Sequence, residues 1–361
     1  MQNDILILTE KLISVPSTKD NPKALEDVLE TAGKTLNGFK SIKFISKGVP
    51  SVLYYNTPKL PKRFKVILNA HLDVVPAEES QYKAKVIGNK LYGRGTNDMK
   101  AAAAVEILAF KEMAKKVKYP LGLQLVTDEE IGGFNGTGYQ IEKGVRADFV
   151  IAGEGSNLDI NNISKGVLWL KLKSYGKTAH SAYLWNGQNA LVNLTLALNK
   201  IWKVYPIPKR GLWKTTVNIG RILTENQTFN KVPDCAEAWL DIRYVPEEEN
   251  TILSSIKKLL PKEVEAEVVV KDSPHFTKVD NKYIELLKKS IKNVTGKKVS
   301  VSKKHGANDI RHFNKVGCDG VQFGPVGEGL HTDNEWVSIK SLSDYYKILE
   351  NFLMSLSNSV K

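Results

Sequence analysis

The chain has 361 residues, more than a single hydrophobic core usually organises, so two domains are expected. With 42% hydrophobic and 25% charged residues it has the composition of a soluble globular protein, which sets aside disordered and fibrous classes. Only two cysteines are present, Cys235 and Cys318, which excludes a disulfide scaffold or a thiolate zinc knuckle and suits a reducing cytosol.

The net charge of +13 comes from lysines spread along the chain (Lys111, Lys115 and Lys116; Lys288, Lys289 and Lys292). No run of Arg and Lys is interleaved with aromatics, so the reading is a basic surface with no nucleic-acid partner. The opening residues put apolar side chains at helical spacing with acids among them. They lack a basic leader and a long apolar core, so a first helix is expected rather than a secretion signal. No stretch approaches the roughly 20 apolar residues of a membrane helix.

Two helices are expected up to about Leu36, broken at Pro16-Ser17-Thr18. Strands follow over 41–45, 51–55 and 65–70, the last continuously apolar at its centre, as suits a strand buried on both faces. An alanine-rich helix is expected over 98–117, and strands over 121–126 and 147–152. Strands alternating with helices imply an α/β sheet with parallel strands at its heart. After about Asn161 the style changes: strand 166–175, helix 189–204, strands 215–223 and 235–244, helix 247–260, strand 264–271. This β-α-β-β-α-β order closes a small antiparallel sheet with both helices on one face. The α/β style then resumes with helix 281–294, strand 320–323 and a last helix over 339–356. The expected organisation is an α/β domain formed by 1–162 and 275–361, interrupted by an inserted α+β, ferredoxin-like domain at 163–274.

The chemistry-bearing residues fall in five places. His71-Leu-Asp73 stands at the end of the buried strand 65–70, where open α/β sheets place ligands. Asp73 could accept the second imidazole N–H and leave the other nitrogen for a metal; alone, this pair also describes a buried, satisfied histidine. Gly93-Arg-Gly-Thr-Asn-Asp98 delivers Asp98 to the start of a long helix, where an N-cap is the simpler reading of that residue by itself. Asp128-Glu129-Glu130 follows an apolar strand, and three adjacent acids there repel one another unless cations or protons compensate them. A solvated acidic loop is the alternative. Glu154, flanked by Gly153 and Gly155, ends another apolar strand, and His331 closes the Gly-rich run 324–331. Singly these are weak signals. Together, two imidazoles and three carboxylates without cysteine suit zinc, cobalt or manganese.

These motifs, in this order and over essentially the whole chain, resemble the co-catalytic metallohydrolases that include succinyl-diaminopimelate desuccinylase, acetylornithine deacetylase, aminoacylase and glutamate carboxypeptidase. The resemblance implies two divalent ions, with zinc first and cobalt or manganese as alternatives. His71, Asp98 and Glu154 would hold one ion; Asp98, Glu130 and His331 would hold the other, with Asp98 bridging. Glu129 would be the general base, Asp73 the partner of His71, and the Asp98-Met99 peptide would be cis. The inserted domain resembles the family's lid and dimerisation domain, which implies a homodimer. There Gly176-Lys-Thr-Ala-His180-Ser would carry an oxyanion-stabilising histidine to the partner subunit's site. Lys165, Asn230 and Arg243 resemble lid positions that contact substrate. Asn308 and Arg311, in His305-Gly-Ala-Asn-Asp-Ile-Arg311, resemble a loop that binds the substrate carboxylate, although His305 and Ala307-Asn308 depart from the usual Gly-Gly-Thr-Asp pattern.

The implied reaction is hydrolysis of an amide bond in a small N-acyl amino acid or short peptide. A non-catalytic relative that uses the cleft or lid for binding is the alternative from a different class. The presence of every ligand and of the base weighs against it.

Overall fold

In the computed structural model, which describes residues 1–358, the chain opens with helices α1 (Gln2–Ile13) and α2 (Pro22–Thr35). Strands β1 (Lys40–Ser46), β2 (Val49–Tyr55) and β3 (Phe64–His71) follow, then two short strands, β4 (Lys85–Ile87) and β5 (Lys90–Tyr92). Helix α3 (Lys100–Met113) leads to β6 (Leu121–Val126), the short α4 (Tyr139–Glu142), β7 (Ala147–Ala152) and β8 (Ile160–Ser164). Next come β9 (Gly166–Tyr175), α5 (Ala190–Val204), β10 (Thr216–Leu223), β11 (Cys235–Tyr244), α6 (Ile252–Leu259) and β12 (Val264–Asp272). The chain ends with α7 (Lys282–Thr295), β13 (Val301–Lys304), α8 (Ile310–Asn314), β14 (Asp319–Gln322), β15 (Gly327–Glu328), β16 (Trp336–Ser338) and α9 (Ile339–Asn358). Among the described residues, no helix is long and apolar enough to cross a membrane.

The main sheet has eight strands in the order β1-β2-β6-β3-β7-β14-β8-β13. Its centre, β6-β3-β7-β14, is parallel, and β1 and β2 extend it antiparallel. The apolar run 66–68 of β3 is fully buried, as expected of a strand covered on both faces. Helix α3 lies on one face with Ala101, Ala103, Ala104, Val105 and Phe110 in the core. A continuous row of small, strong helix formers lets this helix approach the sheet closely. The helix expected to begin at 98 begins at Lys100, which leaves Asp98 outside it. The short strands β4, β5, β15 and β16, too brief to carry a periodic signal, were absent from the sequence reading. They form a second sheet in the order β15-β16-β5-β4.

Cα proximity divides the chain into two compact units: Met1–Asn162, Phe276–Ser302 and the chain from Asn308 onward form one, and Ile163–His275 with Lys303–Ala307 the other. In the second unit β9, β10, β11 and β12 form an antiparallel sheet in the order β10-β11-β9-β12. Its core joins Leu168, Leu170 and Leu172 of β9 to Leu194 and Leu198 of α5 and Ile252 and Ile256 of α6. Asn189 starts α5 by accepting from the Leu191 amide at 2.9 Å.

Gly166 is one of the tight points of this unit. A Cβ there would stand 2.2 Å from Cζ of Tyr244, whose hydroxyl is anchored on the Asp272 carbonyl at 2.6 Å. Neither the strand backbone nor the anchored ring can yield. Gly166→Ala is therefore expected to cost about 3 kcal/mol, at the upper end of ordinary overpacking, read as a lowered midpoint in chemical denaturation.

Candidate metal centre

Three adjacent parallel strands aim their C-terminal ends at one place. His71 is the last residue of β3 and pairs with Val126, the last of β6; on the other side Asn69 pairs with Ala152, the last of β7. Glu129 and Glu130 follow β6 in a short 3-10 turn, and Glu154 follows β7, so all converge on His71 where open α/β sheets hold ligands. Asp98 does not come from a strand end of the main sheet. It arrives on the loop between β5 and α3, because the strand before it belongs to the small sheet. His331 arrives on the loop between β15 and β16, in the left-handed region at φ 61°.

The two oxygens of Asp98 face different imidazoles. Oδ1 lies 3.0 Å from Nε2 of His71, and Oδ2 lies 3.2 Å from Nε2 of His331. The same His331 nitrogen is 3.1 Å from Oε2 of Glu130. Donor atoms gather in two groups, each within 4.8 Å: His71, Glu129 and Glu154 in one, Asp98, Glu130 and His331 in the other. Asp98 thus touches both groups, and Glu129 stands beside Glu154 rather than apart from the donors. Asp98 does not cap α3, since the helix begins with no side-chain cap, and the Asp98-Met99 peptide is cis.

The electrostatics follow from crowding. Burial, reinforced by Glu154, pushes the Glu129 carboxyl well above its usual range, and burial also raises Glu130. Burial works to raise Asp98 as well, but hydrogen bonds from His331 and His71 outweigh it and hold Asp98 well below the usual carboxylate range. The Asp98 and Glu130 carboxylates push His331 up to about 10. The cluster therefore draws positive charge to its centre, the demand that divalent cations meet. Four carboxylates and two imidazoles without thiolate form a donor set of the right chemistry for such ions.

Residues 67–355 match the profile of Peptidase family M20/M25/M40. The chain belongs to this family. It is a hydrolase of amide or peptide bonds, and the family is one of divalent-metal enzymes. The chain is 29% identical to a succinyl-diaminopimelate desuccinylase of Pelagibacter ubique over 78% of its length and 80% of the relative's. It is 30% identical to a probable carboxypeptidase of Emericella nidulans, over 66% of this chain and 62% of that one. A crystal structure of aminopeptidase PepT from Bacillus cereus superposes with a TM-score of 0.80 at 19% identity, covering 98% of each chain, which establishes the fold.

Within the M20 frame, the carboxylate of Asp73 does more than face His71. Its Oδ1 lies 3.5 Å from Nδ1 of His71, farther than Asp73's own carbonyl oxygen at 3.1 Å. The two carboxylate oxygens accept the amides of Glu129 at 3.2 Å and Glu130 at 2.9 Å. Gly132 and Gly133 then reverse the chain at φ 111° and 64°, conformations that glycine alone adopts freely. Asp128, the third acid, is structural. It accepts the amides of Asn135 at 2.7 Å and Gly136 at 2.9 Å, and burial with Asp309 nearby pushes it up to about 7. None of the three acids is the solvated loop residue that the alternative reading required.

Arg311 and Asn308 are the residues that the resemblance places at the substrate carboxylate. Both are buried. Arg311 donates to the Gly132 carbonyl at 2.7 Å and to the Asn308 carbonyl, with Nη1 3.9 Å from the Glu129 carboxylate. Asn308 accepts the Ile310 amide at 3.0 Å at the start of α8. Their polar atoms are engaged inside the unit because the loop turns straight into α8. His312, which the sequence reading passed over, also meets the Gly132 carbonyl, at 2.9 Å. Arg94 and Glu335 have no role in the sequence analysis; the available signal was an acid four residues after His331 beyond a Gly-rich run.

In the second unit, Lys165 and Arg243 line one cavity of about 150 Å³ together with Arg210, Thr216 and His305. Burial and the Arg243 charge lower the Lys165 ammonium, while Arg243 holds Asp241 through Nε at 2.8 Å. His180 and Asn230 share a different, exposed turn, in which the Ser181 amide donates to the Asn230 carbonyl at 3.0 Å.

Adding zinc or cobalt to metal-free protein is expected to raise the melting temperature. An ion at 100 times its dissociation constant contributes about 2.7 kcal/mol of linkage. Glu130→Ala should lose most of that rise, with both measured by thermal denaturation.

Proposed function

We propose that His71, Asp98, Glu130, Glu154 and His331 hold two divalent ions, zinc most readily, in an enzyme that cleaves the amide bond of a small N-acyl amino acid or short peptide. The observation that carries this reading is the posture of Asp98, whose two oxygens face imidazoles of the two donor groups. Ions held there would supply Lewis acidity, acidifying water and polarising the scissile carbonyl.

The chain's own residues do the rest. Glu129 is the general base. Its position beside Glu154 lets it take a proton from the attacking water and return it to the leaving amine. Asp73 sets the direction of both Glu129 and Glu130 by holding their amides. Arg311 and Asn308 contact the substrate carboxylate, and Arg311 and His312 also brace the following turn through the Gly132 carbonyl.

Lys165 and Arg243 serve as recognition groups for a substrate carboxylate. A buried ammonium beside a guanidinium, in a cavity whose other titratable lining groups are Arg210 and His305, favours an anionic group. This supports an acidic acyl substituent over a free α-amine, which would meet only like charge. Dipeptidase or carboxypeptidase action is the second reading, and the kinship with a probable carboxypeptidase keeps it in view. Asn230 contacts substrate and His180 stabilises the oxyanion in the partner subunit's site, in a homodimer built by the inserted unit. The exposure of both residues, and of Trp185 at 78%, supports this part. The two cysteines are free, in keeping with a reducing cytosol.

Glu129→Gln is expected to keep its fold and its ions yet lose hydrolysis by about 100- to 10,000-fold, measured on a panel of N-acyl amino acids and dipeptides. Near wild-type turnover would remove Glu129 from the mechanism. Mixing inactive Glu129→Gln with inactive His180→Asn under subunit exchange should restore part of the activity, because one site of each mixed dimer is then intact. No recovery, despite proven exchange, would put His180 outside the partner's site.

A further inference from the structure

We propose that Glu335 is a positioning residue that sets Asp98 against His331, so that the donors of the second group are assembled before any ion arrives. The inference rests on the metal-centre reading above, but the geometry behind it is independent of that reading. Strand β16 begins with Trp336, which pairs with Tyr92 of β5, and this register lays Glu335 alongside the loop that runs from Gly93 to Asp98.

The Glu335 carboxylate is 1% exposed and accepts four hydrogen bonds from that loop. One oxygen takes Nη1 of Arg94 at 2.6 Å and the Gly95 amide at 3.0 Å. The other takes the amides of Asn97 at 2.8 Å and Asp98 at 3.0 Å. A carboxylate is the side chain with acceptor capacity for all four donors, and the clustered amides form an anion-binding nest around it. The last of these amides belongs to Asp98 itself. Glu335 also sits four residues beyond His331 on the same loop. One buried side chain therefore ties the backbone of Asp98 to the segment that presents His331. A purely structural ion pair with Arg94 would need only the first of the four contacts.

Glutamine in this place keeps one acceptor oxygen and turns an NH2 group toward two of the donors. Glu335→Gln therefore severs half of the tie with almost no change in volume. Aspartate keeps the charge but is one methylene short of the loop.

The test uses metal-free wild type, Glu335→Gln and Glu335→Asp, each checked for fold by circular dichroism. Cobalt(II) is titrated in and followed by its visible absorption, and amide exchange across 94–98 is followed in the metal-free proteins. Glu335→Gln is expected to bind the weaker of two cobalt ions about 10- to 100-fold less tightly, with an altered spectrum, and to exchange the Asn97 and Asp98 amides at least about tenfold faster. Glu335→Asp should fall between, and it carries the comparison if the glutamine variant does not fold.

Affinity within twofold of wild type and unchanged exchange would overturn the proposal. Failure of the wild type to take up cobalt would instead defeat the metal-centre reading. In that case the exchange rates alone decide the tie: faster exchange supports it and unchanged exchange overturns it.

Discussion

Like charges a few ångström apart in a poorly polarisable interior repel strongly, and free side chains would turn away to water. Asp98, Glu129, Glu130 and Glu154 do not turn away. Each is set on backbone that has been fixed by something else: the ends of parallel strands for Glu129, Glu130 and Glu154, and a clamped loop for Asp98. The concentration of negative charge around two imidazoles is the constraint on which the rest of the first unit depends, because only a rigid frame can hold it.

That frame is built by repeating one device. A buried carboxylate accepts two or more backbone amides and so fixes a turn: Asp73 takes the amides of Glu129 and Glu130, Asp128 those of Asn135 and Gly136, and Glu335 those of Gly95, Asn97 and Asp98. Acids that do this work are buried and hold backbone amides, whereas acids of the centre face imidazoles and one another. Composition cannot separate the two kinds. In Asp128-Glu129-Glu130 they are neighbours in sequence, and only the direction of each side chain distinguishes a turn-former from an acid of the cluster.

The second unit has a core of its own, drawn from β9, β10, β11, β12, α5 and α6. Its folding therefore rests on contacts separate from those that build the metal centre. The cationic cavity of Lys165, Arg210, Arg243 and His305 belongs wholly to this unit.

Much of this was legible in the sequence, for local reasons. Continuous apolar runs made β3, β6 and β7 readable, alanine-rich periodicity made α3 readable, and the β-α-β-β-α-β order of the second unit matches its strands and helices. The donors His71, Glu130 and Glu154 could be found because each follows such a run directly. What escaped was non-local. Strands of two or three residues, β4, β5, β15 and β16, form one sheet only because β5 pairs with β16 across more than 200 residues of chain, and with that pairing went the true route by which Asp98 and His331 reach the centre. Arg311 hydrogen-bonds to the carbonyls of Gly132 and Asn308, ties that no local pattern announces. The sequence by itself determined which residues could bear metal-dependent chemistry, because residue type and strand-end placement are local properties. The tertiary structure alone decided how Asp98 faces two imidazoles and which acids hold the frame, because those depend on where a hydrogen-bond donor far away in the chain comes to rest.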